Sequence, residues 1–242
     1  MSALYDTIGC SYSSTRAEEP AIRRPLHAAL GAAQTVLNVG AGAGSYEPHD
    51  REVVAVEPSP VMRAQRPPGA APCIDAQAEA LPFPDGAFDA AMAVLSDHHW
   101  RDRVGGVREL RRVARRIVLF QWDPAWRDEF WLCDQYLPSF ATLADPSYRA
   151  ALAALGPYEE VPVPLPHDCR DGFLMAYWRR PAAYLDPVVR ANISVFALLP
   201  AADVAQMVRR LAADLASGAW ATRNGNLLER ETLDLGYRVL VA

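Results

Sequence analysis

Short apolar runs alternate with segments of helical spacing through the first half of the chain. Thr35–Val39 is apolar and β-branched and is broken at once by Gly40-Ala41-Gly42-Ala43-Gly44, which predicts a strand running into a tight loop. Val53–Val56 is a second apolar run. Ser59-Pro60 then starts a helix, because Ser caps free N–H groups and Pro suits the first helical position. Pro67-Pro68-Gly69 stops it. Pro72–Ile74 reads as a weak third strand, Leu81–Gly86 as a turn-rich loop, and Phe88–Leu95 as a buried strand of small residues. Val104–Ala114 is predicted helical, with Val107, Leu110, Val113 and Ala114 on one side. Arg108, Arg111, Arg112, Arg115 and Arg116 lie mainly on the other side, and Ile117–Phe120 is a fifth strand. This alternation predicts a parallel sheet covered by helices on both faces.

After Pro124 the pattern changes. Trp122, Trp126, Trp131, Trp178 and Trp220 are joined by Phe130, Tyr136, Phe140, Phe173, Tyr184 and other aromatics. Glu160–Pro164 is a Pro-broken strand suited to a sheet edge. Asp171–Leu199 reads as helical pieces. Ala201–Ser217 is a cleaner helix with Val204, Val208, Leu211 and Leu215 on one face and Gly218 at its end. Tyr237–Val241 closes the chain as a strand, so the helices between Asp171 and Gly218 form an insertion between the last two strands.

Composition narrows the function. At 242 residues, 51% hydrophobic and 22% charged, the chain can build a core without disulfides or metal. Its 24 basic residues, all Arg, face 29 acids for a net charge of −5. That balance disfavours nucleic acid and anionic membranes as partners, and the Arg stripe is read as a solvated helix face. No apolar run reaches transmembrane length. Met1–Arg24 carries Asp6, Arg16, Glu18 and Glu19 without an apolar core, so no signal peptide is expected and the setting is read as cytoplasmic. Cys10, Cys73, Cys133 and Cys169 are widely spaced with no CxxC and are expected as free thiols. His167-Asp168-Cys169 has metal-capable side chains but no distant partners, so no metal is expected.

Gly40-x-Gly42-x-Gly44 after a strand suits a nucleotide-binding loop, since glycine lets backbone approach a ligand where a Cβ would collide. Glu57 falls at the end of the next strand, where a carboxylate can accept both ribose hydroxyls of an adenosine. A dinucleotide fingerprint would place a third Gly where Ser45 stands, which disfavours a nicotinamide oxidoreductase. Together NVGAGAG, VVAVEPS, AQAEALPFPDGAFDAA, LSDHHW and VRELRRVARRIVLFQWDP resemble, in order, the class I S-adenosylmethionine-dependent methyltransferases, in their type 11, ubiquinone/menaquinone-biosynthesis-like branch. The resemblance covers about Tyr5 to Pro124.

The resemblance implies a Rossmann-like, doubly wound α/β sheet, mostly parallel with an antiparallel last strand, carrying a helical cap between the last two strands. One methyltransferase domain would span 1–242: an N-terminal lid over 1–30, a cofactor core over 31–124, cap segments over 125–157 and 167–221, and closing strands over 158–166 and 235–242. Gly40, Ala41 and Gly42 would pass beneath the methionine part of S-adenosylmethionine. Glu57 would hold the ribose, with Pro58 and Met62 beside the adenine and Gln77, Ala78 and Glu79 around its edge. Leu95 and Ser96 would lie under the sulfonium. In the lid, Tyr12 and Arg16 would close over the cofactor, Arg16 pairing with its carboxylate. Asn38 departs from the family's usual acid, and Gln77 from its frequent Asp.

His98, His99 and Asp123 follow the fourth and fifth strands, at the sheet edge where such folds bind ligands, and are the acid–base candidates. Phe130, Trp131 and Trp178 are expected in an aromatic roof over a flat or apolar acceptor. The expected activity is methyl transfer to a small aromatic or apolar metabolite by a monomer or homodimer, leaving S-adenosylhomocysteine. The alternative is a S-adenosylmethionine-binding protein of the same fold acting as sensor, partner subunit or catalyst of another reaction.

Overall fold

The computed structural model describes residues 16–242. Helix α1 (Pro20–Ala29) begins at Glu19, whose carboxylate accepts from the Ala21 N–H. The strands and helices of the first half then alternate: β1 (Thr35–Val39), β2 (Glu52–Val56), α2 (Pro60–Arg63), β3 (Cys73–Ile74), β4 (Phe88–Val94), α3 (Arg103–Val113) and β5 (Ala114–Trp122). The second half contains α4 (Trp131–Gln135), α5 (Tyr148–Leu155), β6 (Glu159–Pro162), β7 (Leu165–Pro166), α6 (Pro187–Ala191), α7 (Ser194–Leu198), α8 (Ala201–Ser217), α9 (Ala219–Asn224), β8 (Thr232–Leu233) and β9 (Tyr237–Val241).

Seven strands form one sheet in the order β3-β2-β1-β4-β5-β9-β6. The first five pair in parallel, and β9 runs antiparallel to both β5 and β6. The strand order reverses between β1 and β4, the switch point where α/β sheets open a crevice at their C-terminal edge. The Pro-broken strand β6 is at the sheet edge, as its missing donors require.

Alternate strand residues bury on opposite faces. Val36, Ala90, Met92, Val118 and Phe120 join α1 and the aromatic cap in one core. Leu37, Val39, Ala91, Ala93, Ile117 and Leu119 meet α3 and α5 in the other. Three buried alanines in β4 let both helical layers approach the sheet centre closely. In the cap, α8 packs through Met207 and Leu211, with Val204, Val208 and Leu215 partly buried beside them. Gly218 ends it at φ +79°, the left-handed value of a helix terminus. Pro181 and Pro187 fragment the preceding stretch into single turns.

Candidate active site

The glycine loop is shaped by two contacts. Gly40 has φ +68°, and its N–H and that of Ala41 donate to the Val56 carbonyl. A Cβ at Gly40 would lie 2.6 Å from Cβ of Ser96, so the ends of β1 and β4 touch only because this residue has no side chain. Ser96 secures the approach by donating from Oγ to the Val39 carbonyl at 2.9 Å.

Glu57 organises the loop above β2. Its Oε2 accepts from the Gly42 N–H and its Oε1 from the Ser59 N–H, both at 2.8 Å. Burial raises the carboxyl above its ordinary value, opposed by those two N–H groups and by Arg63 and Arg66. Each carboxylate oxygen keeps a second lone pair, so the group can still accept two ligand hydroxyls.

A cavity of about 260 Å³ opens over this loop. Arg16, Gly40, Ala41, Gly42, Glu57, Pro58, Met62, Gln77, Ala78, Glu79, Leu95 and Ser96 all line it; they are the residues expected to bind cofactor, apart from Tyr12, which lies outside the described residues. Asn38 lines it too. Its Nδ2 donates to Glu47, which is paired with Arg66 at 2.8 Å. Its buried Oδ1 has no hydrogen-bond partner among the described residues. An orphaned acceptor of this kind costs about 1–3 kcal/mol and is satisfied by a ligand donor such as an ammonium. Glu57 with spare lone pairs, an orphaned amide oxygen and a backbone cradle suit an adenosyl group joined to an amino acid.

Arg16 differs from expectation in its partner. It forms a double contact with the carboxylate of Asp171, which is 1% exposed. Asp171 also accepts from the Tyr46 hydroxyl at 2.8 Å, and Tyr46 Oη accepts from the Glu19 N–H. The guanidinium charge is thus already matched within the protein, and Arg16 ties the N-terminal segment to the cap.

A second cavity, also about 260 Å³, adjoins the first. Arg16, Leu95 and His99 line both and form the wall between them. Leu95 holds φ +49°, a sparsely populated conformation for a side-chain-bearing residue, at the end of β4. The rest of the second cavity is walled by Trp122, Phe140, Phe173 and Tyr237, with Leu174, Met175 and Ile193 between them. Its polar residues include His98, Arg103, Gln121 and Asp145.

Arg103 ties these polar residues together. It donates to buried Asp97 from Nε at 2.8 Å, to Asp145 at 2.8 Å and to Gln121 at 3.1 Å, and lies over the Tyr148 ring. Burial pushes the Asp97 carboxyl up, but His98 and Arg103 outweigh it and hold Asp97 below its ordinary value. The His98 and His99 rings lie 3.9 Å apart between centroids. His98 is exposed, whereas burial drives the His99 imidazole well below its ordinary value, reinforced by His98 and Arg16 and opposed by Asp97.

The remaining expected site residues fall elsewhere. Asp123 lines neither cavity; its carboxylate accepts from the Ala125 N–H and caps the following 3-10 turn. Phe130, Trp131 and Trp178 also line neither. They form the interior of the cap, where Trp131 packs edge-on to Tyr136, Tyr184 and Trp220 and donates to the Trp178 carbonyl at 2.8 Å. The roof assignment is therefore corrected: these three support the roof from behind, and Phe140, Phe173 and Tyr237 face the cavity. Cys73, Cys133 and Cys169 are free thiols. No group of three metal-ligating side chains occurs among the described residues.

Comparison with known proteins agrees with this geometry. A methyltransferase domain model matches residues 37–119. A crystal structure from Anabaena variabilis, of a protein assigned as a methyltransferase from an antibiotic biosynthesis pathway, is 32% identical. It superposes with a TM-score of 0.86 over 94% of this chain and 98% of its own. The uncharacterized methyltransferase YcgJ of Bacillus subtilis is 28% identical over 124 residues, 47% of this chain and about half (49%) of that relative. The [4+2]-cyclase SpnF, 16% identical, shares the fold with a TM-score of 0.52 over 99% of this chain and 94% of its own. With its sheet order, its glycine loop and an end-to-end relative at 32% identity, the chain belongs to the class I S-adenosylmethionine-dependent methyltransferases.

Proposed function

We propose that this protein transfers a methyl group from S-adenosylmethionine to a small aromatic or otherwise apolar metabolite. The observation that carries the reading is the pair of adjoining cavities that share Arg16, Leu95 and His99. The cavity over the glycine loop suits the cofactor, with Glu57 as ribose acceptor and Asn38 Oδ1 as acceptor for an amino group. The second, walled by Trp122, Phe140, Phe173 and Tyr237, suits a flat apolar acceptor. S-adenosylmethionine, when bound, supplies an electrophilic methyl group on a sulfonium. The protein's own part is to hold the acceptor in line across the shared wall and to keep water out. The acidic net charge supports a small-molecule partner rather than nucleic acid or an anionic membrane. Among the described residues no helix is long and apolar enough to cross a membrane.

Incubation with S-adenosylmethionine and a panel of aromatic metabolites, with S-adenosylhomocysteine measured by mass spectrometry, tests the reading. Acceptor-dependent release supports it. Binding of S-adenosylmethionine without release by any acceptor favours the second reading, a same-fold binding protein or catalyst of another reaction. A cyclase on this fold shows why fold alone does not fix the reaction.

A further inference from the structure

Among the described residues three side chains line both cavities and form the wall between them, and their chemistry differs. Leu95 is apolar, and Arg16 cannot accept a proton at physiological pH. His99 alone of the three is a proton acceptor, and it borders both cavities. On this geometry, and resting on the methyltransferase reading above, we propose that His99 takes the proton from a phenolic or enolic hydroxyl of the acceptor, so that the product is the methyl ether of a hydroxylated flat molecule.

The charged neighbours support this role. The His98 ring lies 3.9 Å from that of His99, tilted at 46°, and the charges of Arg16 and Asp97 act on the imidazole. Burial, His98 and Arg16 outweigh the opposing Asp97 and hold the His99 imidazole below its ordinary value, so it enters each turnover unprotonated. Bonds and charge balance within the site. The acceptor O–H breaks and its proton passes to the His99 imidazole. The acceptor oxygen forms a bond to the methyl carbon as the carbon–sulfur bond breaks, its electron pair staying on sulfur. One positive charge is lost at sulfur while one is gained on imidazole, so the net charge of the enclosed site is unchanged. The imidazolium returns its proton to water when product leaves.

Other acceptor classes use the arrangement less well. A thiol ionises readily near neutrality and needs little base. An alkyl ammonium would enter an apolar-walled cavity beside Arg16 and Arg103 at a desolvation cost, and a neutral aryl amine attacks through its lone pair and sheds a proton only afterwards, so it makes little use of a base at the wall. A neutral phenol or enol enters cheaply and then needs a base at the wall.

The test uses three probes of one shape, 2-naphthol, 2-naphthylamine and 2-naphthalenethiol, with the full-length protein. Wild type is expected to methylate 2-naphthol fastest. His99→Asn is expected to bind S-adenosylhomocysteine within about threefold of wild type and to methylate 2-naphthol at least about 100-fold more slowly. The low-pH fall in kcat/KM, set by His99 protonation, is expected to disappear in the variant. An independent readout on unmutated protein is the imidazole ¹⁵N spectrum with S-adenosylhomocysteine bound. Adding 2-naphthol should move the His99 resonances and leave those of His27, His49 and His167 in place. Preferred methylation of the amine or thiol, a His99→Asn rate within threefold of wild type, or unmoved His99 resonances overturns the proposal while leaving the methyltransferase reading intact. Absence of S-adenosylhomocysteine with all three probes overturns both.

Discussion

Replacing Glu57 separates ligand recognition from loop support, and the structure sets the size of both effects. The carboxylate accepts two backbone N–H groups at 2.8 Å, from Gly42 and Ser59, and retains lone pairs for the ribose. Glu57→Ala removes the proposed ribose contact, and a hydrogen bond to a charged group contributes about 1.5–3 kcal/mol. S-adenosylhomocysteine affinity should therefore fall roughly 10- to 150-fold. The same change strips two loop donors of their acceptor at about 1–3 kcal/mol each when they stay dry, so part of the loss appears as lower stability. Glu57→Gln fills the same space but presents one carbonyl oxygen and one amide donor, so one backbone donor faces another. It should weaken the ligand by a similar factor with a smaller stability change. Because burial raises the Glu57 carboxyl, wild-type affinity should decline on acidification at a higher pH than an ordinary glutamate would give, and neither variant should show that step. Isothermal titration beside thermal unfolding measures both effects. Wild-type affinity in Glu57→Ala, with the loop intact, would refute the ribose assignment.

Three further outcomes follow from the geometry. Trp131→Ala, inside the cap, should cost about 3–5 kcal/mol of stability, while S-adenosylhomocysteine affinity of the folded protein stays within about 0.5 kcal/mol; denaturant unfolding and titration together check this. Phe173→Ala, on the wall of the second cavity and packed on Tyr237 at 4.8 Å, should raise acceptor KM about tenfold or more through loss of about 1.5–3 kcal/mol of apolar contact, with cofactor affinity unchanged; an equal loss of both affinities would place the acceptor elsewhere. His99 is neutral in the folded protein below the pH at which an unfolded histidine protonates. Its contribution to stability is therefore complete above about pH 6.5 and is lost as pH falls toward its lowered folded value, at up to about 1.4 kcal/mol per pH unit. Unfolding curves between pH 7 and 5 should show a shallower decline for His99→Asn, and parallel declines would contradict a half-buried, neutral imidazole.

Much of the cofactor half was legible in the sequence because its determinants are local. Thr35–Val39 and Tyr237–Val241 are strands with the boundaries read from their apolar runs, and Ser59-Pro60 caps and starts α2 as its chemistry requires. The glycine loop and Glu57 sit at strand ends that sequence alone marks. Strand β5 begins earlier than its apolar run, at Ala114, because Arg115 and Arg116 are tolerated at exposed positions. The second cavity was less legible because long-range contacts build it. Asp171 meets Arg16 across 155 residues and has no local signature. Arg103, just ahead of the helix predicted from Val104, carries no sequence mark of its place as the tie among Asp97, Asp145 and Gln121. Aromatic enrichment located the cap but not which rings face inward: Trp131 and Trp178 fill its interior, while Tyr237, read only as a strand residue, reaches the cavity wall. Asn38 stood out as a departure from the family acid, and only the structure shows its Oδ1 as an unmet acceptor beside the loop.

The central claim is that the two cavities are successive parts of one methyl-transfer site divided by Arg16, Leu95 and His99. A crystal structure with S-adenosylhomocysteine tests it most directly. The expected result places the ribose hydroxyls on Glu57, the amino group within hydrogen-bond reach of Asn38 Oδ1, and the sulfur at the shared wall, open to the cavity of Phe140, Phe173 and Tyr237. A sulfur turned away from that wall, or S-adenosylhomocysteine seated in the aromatic cavity, would contradict it.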